Sequence, residues 1–283
     1  MNRKEALARA RGILADNNID DAFLEGEILL RHVLGISRTQ LFSDLECGVS
    51  PALQNTLERL IERRLHGEPS AYITGHREFY GLDFYVDRNV LIPRPESELL
   101  VEKSIDLVRN GGITSVADIG TGCGAIAVSL AVNLPEVVIY AVDVSAPALE
   151  VAEVNCRRYG VTDRIRLLHG DMLEPLPGPV NLIIANLPYV RESDLPPGND
   201  LSFEPLLALD GGVGGLDKIA ALAGQADDKL LPEGYMLLEI GHGQAEGVVE
   251  LLRKNFPLSL IEVDRDLAGI ERIVSLHLTS AQL

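Results

Sequence analysis

The chain has 283 residues, 46% of them hydrophobic and 24% charged. That is a globular composition, long enough for one large or two ordinary domains. It carries 42 acidic against 25 basic residues, a net charge of −17, with −3 on residues 1–92 and −14 on residues 93–283. Such a surface repels phosphate backbones, so duplex DNA and bulk RNA are poor partners and direct nucleic-acid binding is not expected.

Cys47, Cys123 and Cys156 show no metal-ligand spacing and read as free thiols of a reducing compartment. The opening MNRKEALARARGILADNN has no apolar signal core, and no apolar run reaches the roughly 18 residues of a membrane span. A cytoplasmic monomer with no membrane partner is expected.

The first third predicts helices. Asn2 with Glu5 forms a capping pair ahead of a stripe of Leu7, Ala10, Ile13 and Leu14. A second helix is expected over 22–34 with Leu24, Ile28 and Leu29 inward. A third starts at the Ser50 cap and Pro51, with Leu53, Leu57, Leu60, Ile61 and Leu65 on one face and Gly67 and Pro69 ending it. These stripes predict a small helical domain over 1–71. The segment HREFYGLDFYVDRNVLI, with turns at Gly81-Leu82-Asp83 and Asp87-Arg88-Asn89, predicts a β-hairpin linker over 72–92. After Pro93-Arg94-Pro95-Glu96 a helix runs to about Val108. Strands are then expected at 115–119, 137–142, 165–169, 180–185, 234–240, 259–264 and 271–277. Helices are expected at 124–133, 146–159, 216–230 and 244–254. Alternation of this kind predicts a doubly wound parallel sheet over 93–283. Residues 191–215 carry Pro196-Pro197-Gly198 and a glycine cluster and show no regular pattern, so a substrate-covering loop is one reading and a plain surface loop the other.

Three segments of that α/β region carry chemistry. Strand 115–119 runs into Gly120-Thr121-Gly122-Cys123-Gly124 and a helix start, a turn whose backbone can approach a ligand closely. Asp143, 23 positions after Gly120, ends the next strand and suits ribose hydroxyls. The spacing G-x-G-x-G differs from the dinucleotide G-x-G-x-x-G and favours S-adenosylmethionine, which has no pyrophosphate to cradle. Gly170-Asp171-Met172 ends a third strand, with Asp171 placed to accept adenine amino hydrogens and Met172 to pack on the ring. Asn186-Leu187-Pro188-Tyr189 ends the apolar run Val180–Ala185. There the Asn186 carboxamide and the Leu187 carbonyl can accept the hydrogens of a planar –NH2, with Pro188 and Tyr189 on its face. The ordinary alternatives are a helix-cap role for Asp143, a surface turn for Asp171 and a plain strand-ending turn at Asn186. In a doubly wound sheet the strands before Gly120 and Asn186 are neighbours at the switch point, so donor and acceptor sites are expected to meet there.

The blocks GEPSAYITGHREFYGLDFYVDRNVLIPRPESELLVE (67–102), DIGTGCGAIA (118–127), FEPLLALDGGVGGLD (203–217) and LLEIGHGQ (237–244), with Asp143 and Asn186-Leu187-Pro188-Tyr189, resemble the release-factor glutamine methyltransferase family. The resemblance covers nearly the whole chain. It implies a Rossmann-like class I methyltransferase sheet behind an N-terminal helical lobe that helps dock a class 1 peptide chain release factor. It implies methyl transfer from S-adenosylmethionine to the glutamine amide of that factor's Gly-Gly-Gln motif, in translation termination. The cofactor set expected is Gly120, Thr121, Gly122, Cys123, Gly124, Asp143, Asp171, Met172 and Asn186. Asn186, Leu187, Pro188 and Tyr189 would hold the glutamine. The family usually has Pro where Leu187 stands, and Asn-Leu-Pro-Tyr is the form of adenine dimethyltransferases acting on ribosomal RNA. Adenine-N6-type methylation of RNA or DNA through the same turn is therefore the alternative. A sensor of S-adenosylmethionine, which would not need Asn186 or Tyr189, and a dinucleotide oxidoreductase, which a cofactor-binding titration would separate, are further readings.

Overall fold

Local capping sets where the first helices begin. Asn2 accepts from Glu5 N–H at 2.9 Å and Glu5 returns the bond to Asn2 N–H at 2.9 Å, which starts α1 (Arg3–Asp16). The computed structural model describes residues 1–195 and 203–279, so Pro196-Pro197-Gly198 lies outside the described residues. The chain divides into two units, Met1–His76 and Arg77–Leu283.

In the first unit α2 (Ala22–Leu34), α3 (Arg38–Ser43), α4 (Pro51–Leu65) and α5 (Ser70–Thr74) follow α1. Ala6, Leu7, Ala10, Leu14, Leu29, Leu30, Leu41, Leu57 and Ile61 form its core, with Ile13, Leu53, Leu60 and Leu65 partly buried against it. Leu24 departs from expectation: it is 50% exposed, because the inward face of α2 carries Ala22, Gly26, Leu29 and Leu30 instead. Glu27 shares that face. It is 2% exposed and meets Arg38 at 2.9 Å, Arg31 at 3.5 Å and Arg11 at 3.8 Å.

The second unit opens within a two-stranded hairpin, β1 (His76–Phe79) and β2 (Leu82–Tyr85). Its turn is Tyr80-Gly81, both at positive φ, as a tight hairpin requires. The stretch around Asp87–Asn89, expected as part of the hairpin, is a separate turn. The elements α6 (Glu98–Gly111), β3 (Ser115–Ile119), α7 (Ala125–Asn133), β4 (Val138–Asp143), α8 (Ala146–Arg158), β5 (Ile165–His169), β6 (Val180–Ala185), α9 (Asp217–Gln225), β7 (Leu230–Glu239), α10 (Ala245–Asn255), β8 (Leu260–Arg265) and β9 (Glu271–His277) follow.

Seven strands form one sheet in the order β5-β4-β3-β6-β7-β9-β8, parallel except for β9. Chain order reverses between β3 and β6, as expected of a doubly wound sheet. Helices cover both faces, so Leu182, Ile183 and Ile184 of β6 are all fully buried and the run is apolar throughout rather than alternating. Two boundaries moved. The helix expected over 216–230 stops at Gln225, ahead of Asp227 and Asp228, whose charge is unfavourable at a helix C-terminus. β7 begins at Leu230, with a register break where Val180 pairs Leu230 and Leu182 pairs Tyr235. The described residues of 190–215 include two short 3-10 turns, Glu192–Asp194 and Leu206–Ala208, and a bridge from Val190 to Asp210. All three cysteines are free thiols. Among the described residues no helix is long and apolar enough to cross a membrane.

Removing Glu27 leaves three guanidiniums facing one another across a buried gap. Because those groups are partly exposed and can rehydrate, Glu27→Ala is expected to destabilise the protein by about 2 kcal/mol, below the cost of breaking a fully buried pair. Urea unfolding measures it, and a loss under about 0.5 kcal/mol would mean that the cluster is electrostatically neutral to folding.

Candidate active site

At the carboxyl end of β3 the chain turns through Gly120, Gly122 and Gly124, with φ of +73°, +56° and +79°. L side chains rarely adopt that region. A side chain at Gly122 would find nothing within 4 Å, because Gly122 opens onto a cavity of about 840 Å³, mouth included. The turn is tied to β4. Gly120 and Thr121 N–H donate to the Val142 carbonyl at 2.9 and 3.0 Å, and Gly122 N–H donates to Asp143 Oδ2 at 2.9 Å.

Asp143 lines the same cavity, and its Oδ1 accepts from Ser145 N–H at 2.8 Å. The helix-cap role falls to Ser145, whose side chain accepts from Ala148 N–H. A carboxylate has about four acceptor positions, so Asp143 keeps spare capacity toward the cavity. Burial raises its pKa, opposed by the Ser145 and Gly122 amides. Asp171 and Met172 also line the cavity, with Met172 held at φ +48°.

Thr121, Cys123 and Gly124 do not line it. The Thr121 hydroxyl donates to Asp118 Oδ2 at 2.7 Å, and Ala127 N–H donates to the same oxygen at 3.2 Å. Asp118 is buried, its Oδ1 has no partner among the described residues, and burial lifts its carboxyl to about 6. Burial also pushes the Cys123 thiol up to about 12, so it stays protonated. These groups brace the turn from beneath.

β6 ends beside β3, with Ala185 paired to Ile119, and Asn186, Leu187 and Pro188 line the cavity. The two turns touch: a Cβ on Gly120 would lie 3.2 Å from Leu187 Cδ2. Asn186 Nδ2 donates to Ser97 Oγ at 2.9 Å, which leaves its Oδ1 as the group available for an acceptor role. Behind them lies Glu239, 2% exposed. Burial lifts its carboxyl to about 7, while hydrogen bonding from Ser97, the charge of Arg272 and hydrogen bonding from Asn186 pull it down and Glu96 raises it. Its Oε2 has no partner among the described residues.

Tyr189 does not line the cavity. Its carbonyl accepts from Gln244 Nε2 at 3.0 Å, while Gln244 Oε1 accepts from Gly241 N–H at 2.8 Å. Gly211 packs directly on this turn, since a Cβ there would fall 2.8 Å from Pro188 O and Tyr189 Cα. That contact carries Pro205, Leu207 and Ala208 to the cavity wall.

A family model for the PrmC N-terminal domain matches residues 5–75, and one for the methyltransferase small domain matches residues 96–197. The chain is 40% identical to the release factor glutamine methyltransferase of Moorella thermoacetica, over 96% of this chain and 97% of that one. It is 44% identical to the release factor glutamine methyltransferase of Bordetella pertussis, over 93% and 97%. The chain belongs to the release factor glutamine methyltransferase family. A methyltransferase from Pyrococcus furiosus, 19% identical over 71% of this chain and 90% of that one, superposes with a TM-score of 0.53, a likeness of fold. The family membership and the sheet order together make the second unit a class I methyltransferase fold.

Sequence reasoning missed the residues of this family member that hold its turns in place. Ser97, Glu239 and Gln244 are three. Asn155 is a fourth: wholly buried on α8, it accepts from Tyr85 N–H at 2.8 Å and donates to the Tyr85 and Cys123 carbonyls, each at 2.9 Å. A polar residue on the apolar face of a helix was the available signal. Asn155→Ala orphans three main-chain groups and is expected to cost roughly 3 kcal/mol, about 1 per bond. The check is chemical denaturation with the slope unchanged; a cost near zero would mean that the hairpin and the glycine turn do not depend on this side chain.

Proposed function

We propose that this protein transfers the methyl group of S-adenosylmethionine to the side-chain amide nitrogen of the glutamine in the Gly-Gly-Gln motif of a class 1 peptide chain release factor. The reaction belongs to translation termination in the cytoplasm, with the N-terminal helical unit helping to dock the factor. The observation that carries this reading is the contact between the glycine turn and the Asn186 turn at one cavity, in a chain of this family.

The residues present suit that cofactor. Gly122 opens onto the cavity where a ligand can approach the backbone. Asp143 keeps acceptor capacity for two ribose hydroxyls, and Asp171 and Met172 supply a carboxylate and an apolar surface for adenine. When bound, S-adenosylmethionine supplies an electrophilic methyl group on a sulfonium.

The chain's own part is orientation. An amide nitrogen is a weak nucleophile because its lone pair is delocalised into the carbonyl. Asn186 Oδ1 and the Leu187 carbonyl accept the two amide hydrogens, fix the plane of the group and stabilise positive charge growing on nitrogen. Pro188 packs on the amide face. Tyr189, outside the cavity, anchors the turn through its carbonyl and Gln244. No strong base is needed if the proton leaves after transfer.

The test is transfer of labelled methyl to a purified unmodified release factor, to the same factor with its Gly-Gly-Gln glutamine replaced by Ala, and to bulk ribosomal RNA. Label on the first alone is expected. Asn186→Ala is expected to lower kcat by about a hundredfold while cofactor affinity stays within about threefold, the pattern of an interaction strongest in the transition state. Asp143→Ala is expected to weaken cofactor binding by about tenfold or more, as removal of a charged hydrogen-bond partner does. Label on RNA, or on the glutamine-free factor, would sink this reading.

A further inference from the structure

We infer that Glu204 is a positioning residue for the cofactor, which holds the outer wall of the cavity in place chiefly through the main-chain N–H of Ile92. The inference rests on the reading of the cavity as an S-adenosylmethionine site and names the side chain that keeps that site enclosed.

Strand ends supply one part of the cavity, with Gly122, Asp143 and Asp171. Two segments outside the sheet complete it. Asn89, Val90 and Leu91 line it from the stretch before α6, and Pro205, Leu207 and Ala208 line it from the outer wall. The two segments are secured unequally. Val90 and Ile92 are 1% and 5% exposed, so burial anchors the first. No residue of 205–210 is buried, and Leu206 and Leu207 are 44% and 53% exposed, so the wall has no apolar anchor of its own. Its far end is tied by main chain: Val190 N–H donates to the Leu209 carbonyl at 3.0 Å, and Gly211 N–H donates to the Val190 carbonyl at 2.8 Å. Its near end is tied by Glu204. Oε1 accepts from Ile92 N–H at 3.0 Å, and Oε2 accepts from the Arg94 guanidinium at 2.6 Å. One residue earlier, the Arg88 guanidinium lies over the Phe203 ring, 5.5 Å from its centroid. The wall therefore meets the stretch before α6 at three successive points, two of them through one carboxylate.

Those points differ in weight. The Arg94 side chain is 41% exposed, so water and salt screen its ion pair. Arg88 is exposed as well, and a cation over a ring at the surface adds little. Ile92 N–H belongs to a buried residue and is followed by Pro93, which has no N–H to share the role. Deleting its acceptor leaves a buried donor unpaired, the costlier loss of the two. A carboxylate serves both donors, one on each oxygen, whereas a carboxamide has a single acceptor oxygen and can serve only Ile92. Without that bond the wall hangs from its Val190 end alone. A ligand enclosed by it then escapes more often, so the loss falls on the dissociation rate.

The experiment measures the affinity and dissociation rate of S-adenosylhomocysteine, the unreactive product of methyl transfer, on the full chain. Amide hydrogen exchange at Ile92 is followed in parallel. All measurements are made at a temperature where circular dichroism shows each variant folded. Glu204→Ala is expected to weaken binding roughly tenfold, the scale of one lost hydrogen bond, nearly all of it as faster dissociation. Exchange at Ile92 is expected to speed up with it. Glu204→Gln keeps an acceptor for Ile92 and is expected to stay within about threefold of the wild type. Arg94→Ala removes only the screened pair and is expected to do the same. With the release factor as substrate, Glu204→Ala is expected to raise the KM for the cofactor more than it lowers kcat. A merely structural role would lower the unfolding temperature and leave the dissociation rate of the folded protein where it was. Should Glu204→Ala fail to fold, Glu204→Met keeps the bulk, removes the acceptor and reads the same rate. A Glu204→Ala protein with wild-type dissociation, or a Glu204→Gln protein as impaired as Glu204→Ala, overturns the inference and leaves the functional reading intact. A wild-type protein that binds neither S-adenosylmethionine nor S-adenosylhomocysteine overturns the functional reading, and this inference with it.

Discussion

The parallel register of β3 against β6, with Ile119 beside Ala185, is the constraint on which the site depends. Two parallel strands that end level send their chains out at the same height. Where sequence order reverses between them, no connection crosses the gap. A gap bounded by two strand ends follows from topology before any ligand is considered. Its position is held by the core beneath it, since Leu182, Ile183 and Ile184 are wholly buried from both faces. A slip of one residue would turn that apolar set over and move Asn186 with it, so the packing that stabilises the sheet also fixes the acceptor turn. The glycine turn is fixed in the same way, through the Val142 carbonyl and the Asp143 carboxylate at the end of the next strand.

What surrounds the gap is a set of buried polar side chains that touch main chain rather than cavity. Asn155 joins β2 to the Cys123 carbonyl, and Gln244 joins Gly241, Gly215 and Tyr189, three separate loops. Asp118 receives Thr121 and Ala127 beneath the glycine turn. Among the described residues, Asn155 and Gln244 bond only main chain, and Asp118 bonds only the turn above it, while the groups that face the cavity, Asp143 and Asn186, keep an oxygen with capacity to spare. A transfer that relies on orientation rather than on a strong base needs this division, because errors of about 1 Å in a first contact cost orders of magnitude in rate.

The parts legible in the sequence are those whose signals are local. The Asn2 and Ser50 caps, the strands of β3 and β6 and the glycine turn are each written within a dozen residues, and the structure has them where those signals lie. Adjacency of the two strand ends followed from one topological rule. Helices α3 and α5 were not legible, because six and five residues hold too little of a period to register, although Ser37 and Gln40 form a capping box at the first. Leu24 was misplaced because a stripe drawn through Ile28 and Leu29 is rotated from the true inward face, which includes the charged Glu27. Ser97, Asn155, Glu239 and Gln244 share a deeper reason. Each works on a partner that folding brings from far along the chain, 89 residues away for Ser97 and 55 for Gln244. Nothing local distinguishes such a residue from an ordinary polar one. The traces left were slight: Asn155 as a polar residue on the apolar face of its helix, and Glu239 as an acid closing the apolar run Met236-Leu237-Leu238.

Leu187 is where this chain departs from the usual family residue, and its packing shows what the side chain does there. Its side chain is buried and meets the Gly120 face of the other turn, as one member of the core beneath the cavity. What the turn offers an acceptor amide at this position is a carbonyl, which every residue supplies. The conformation that aims it comes from the residue after, because Pro188 bars the helical region at position 187 and keeps it extended. Proline at 187 would fix φ of an already extended residue and remove an N–H. Leucine instead adds apolar contact between the two turns. The substitution therefore acts on how firmly the glycine turn and the Asn186 turn are held together. The opposite wall of the cavity is built from Pro205, Leu207 and Ala208, in the segment that Gly211 docks onto Pro188 and Tyr189, so both walls are tied to the Asn186 turn.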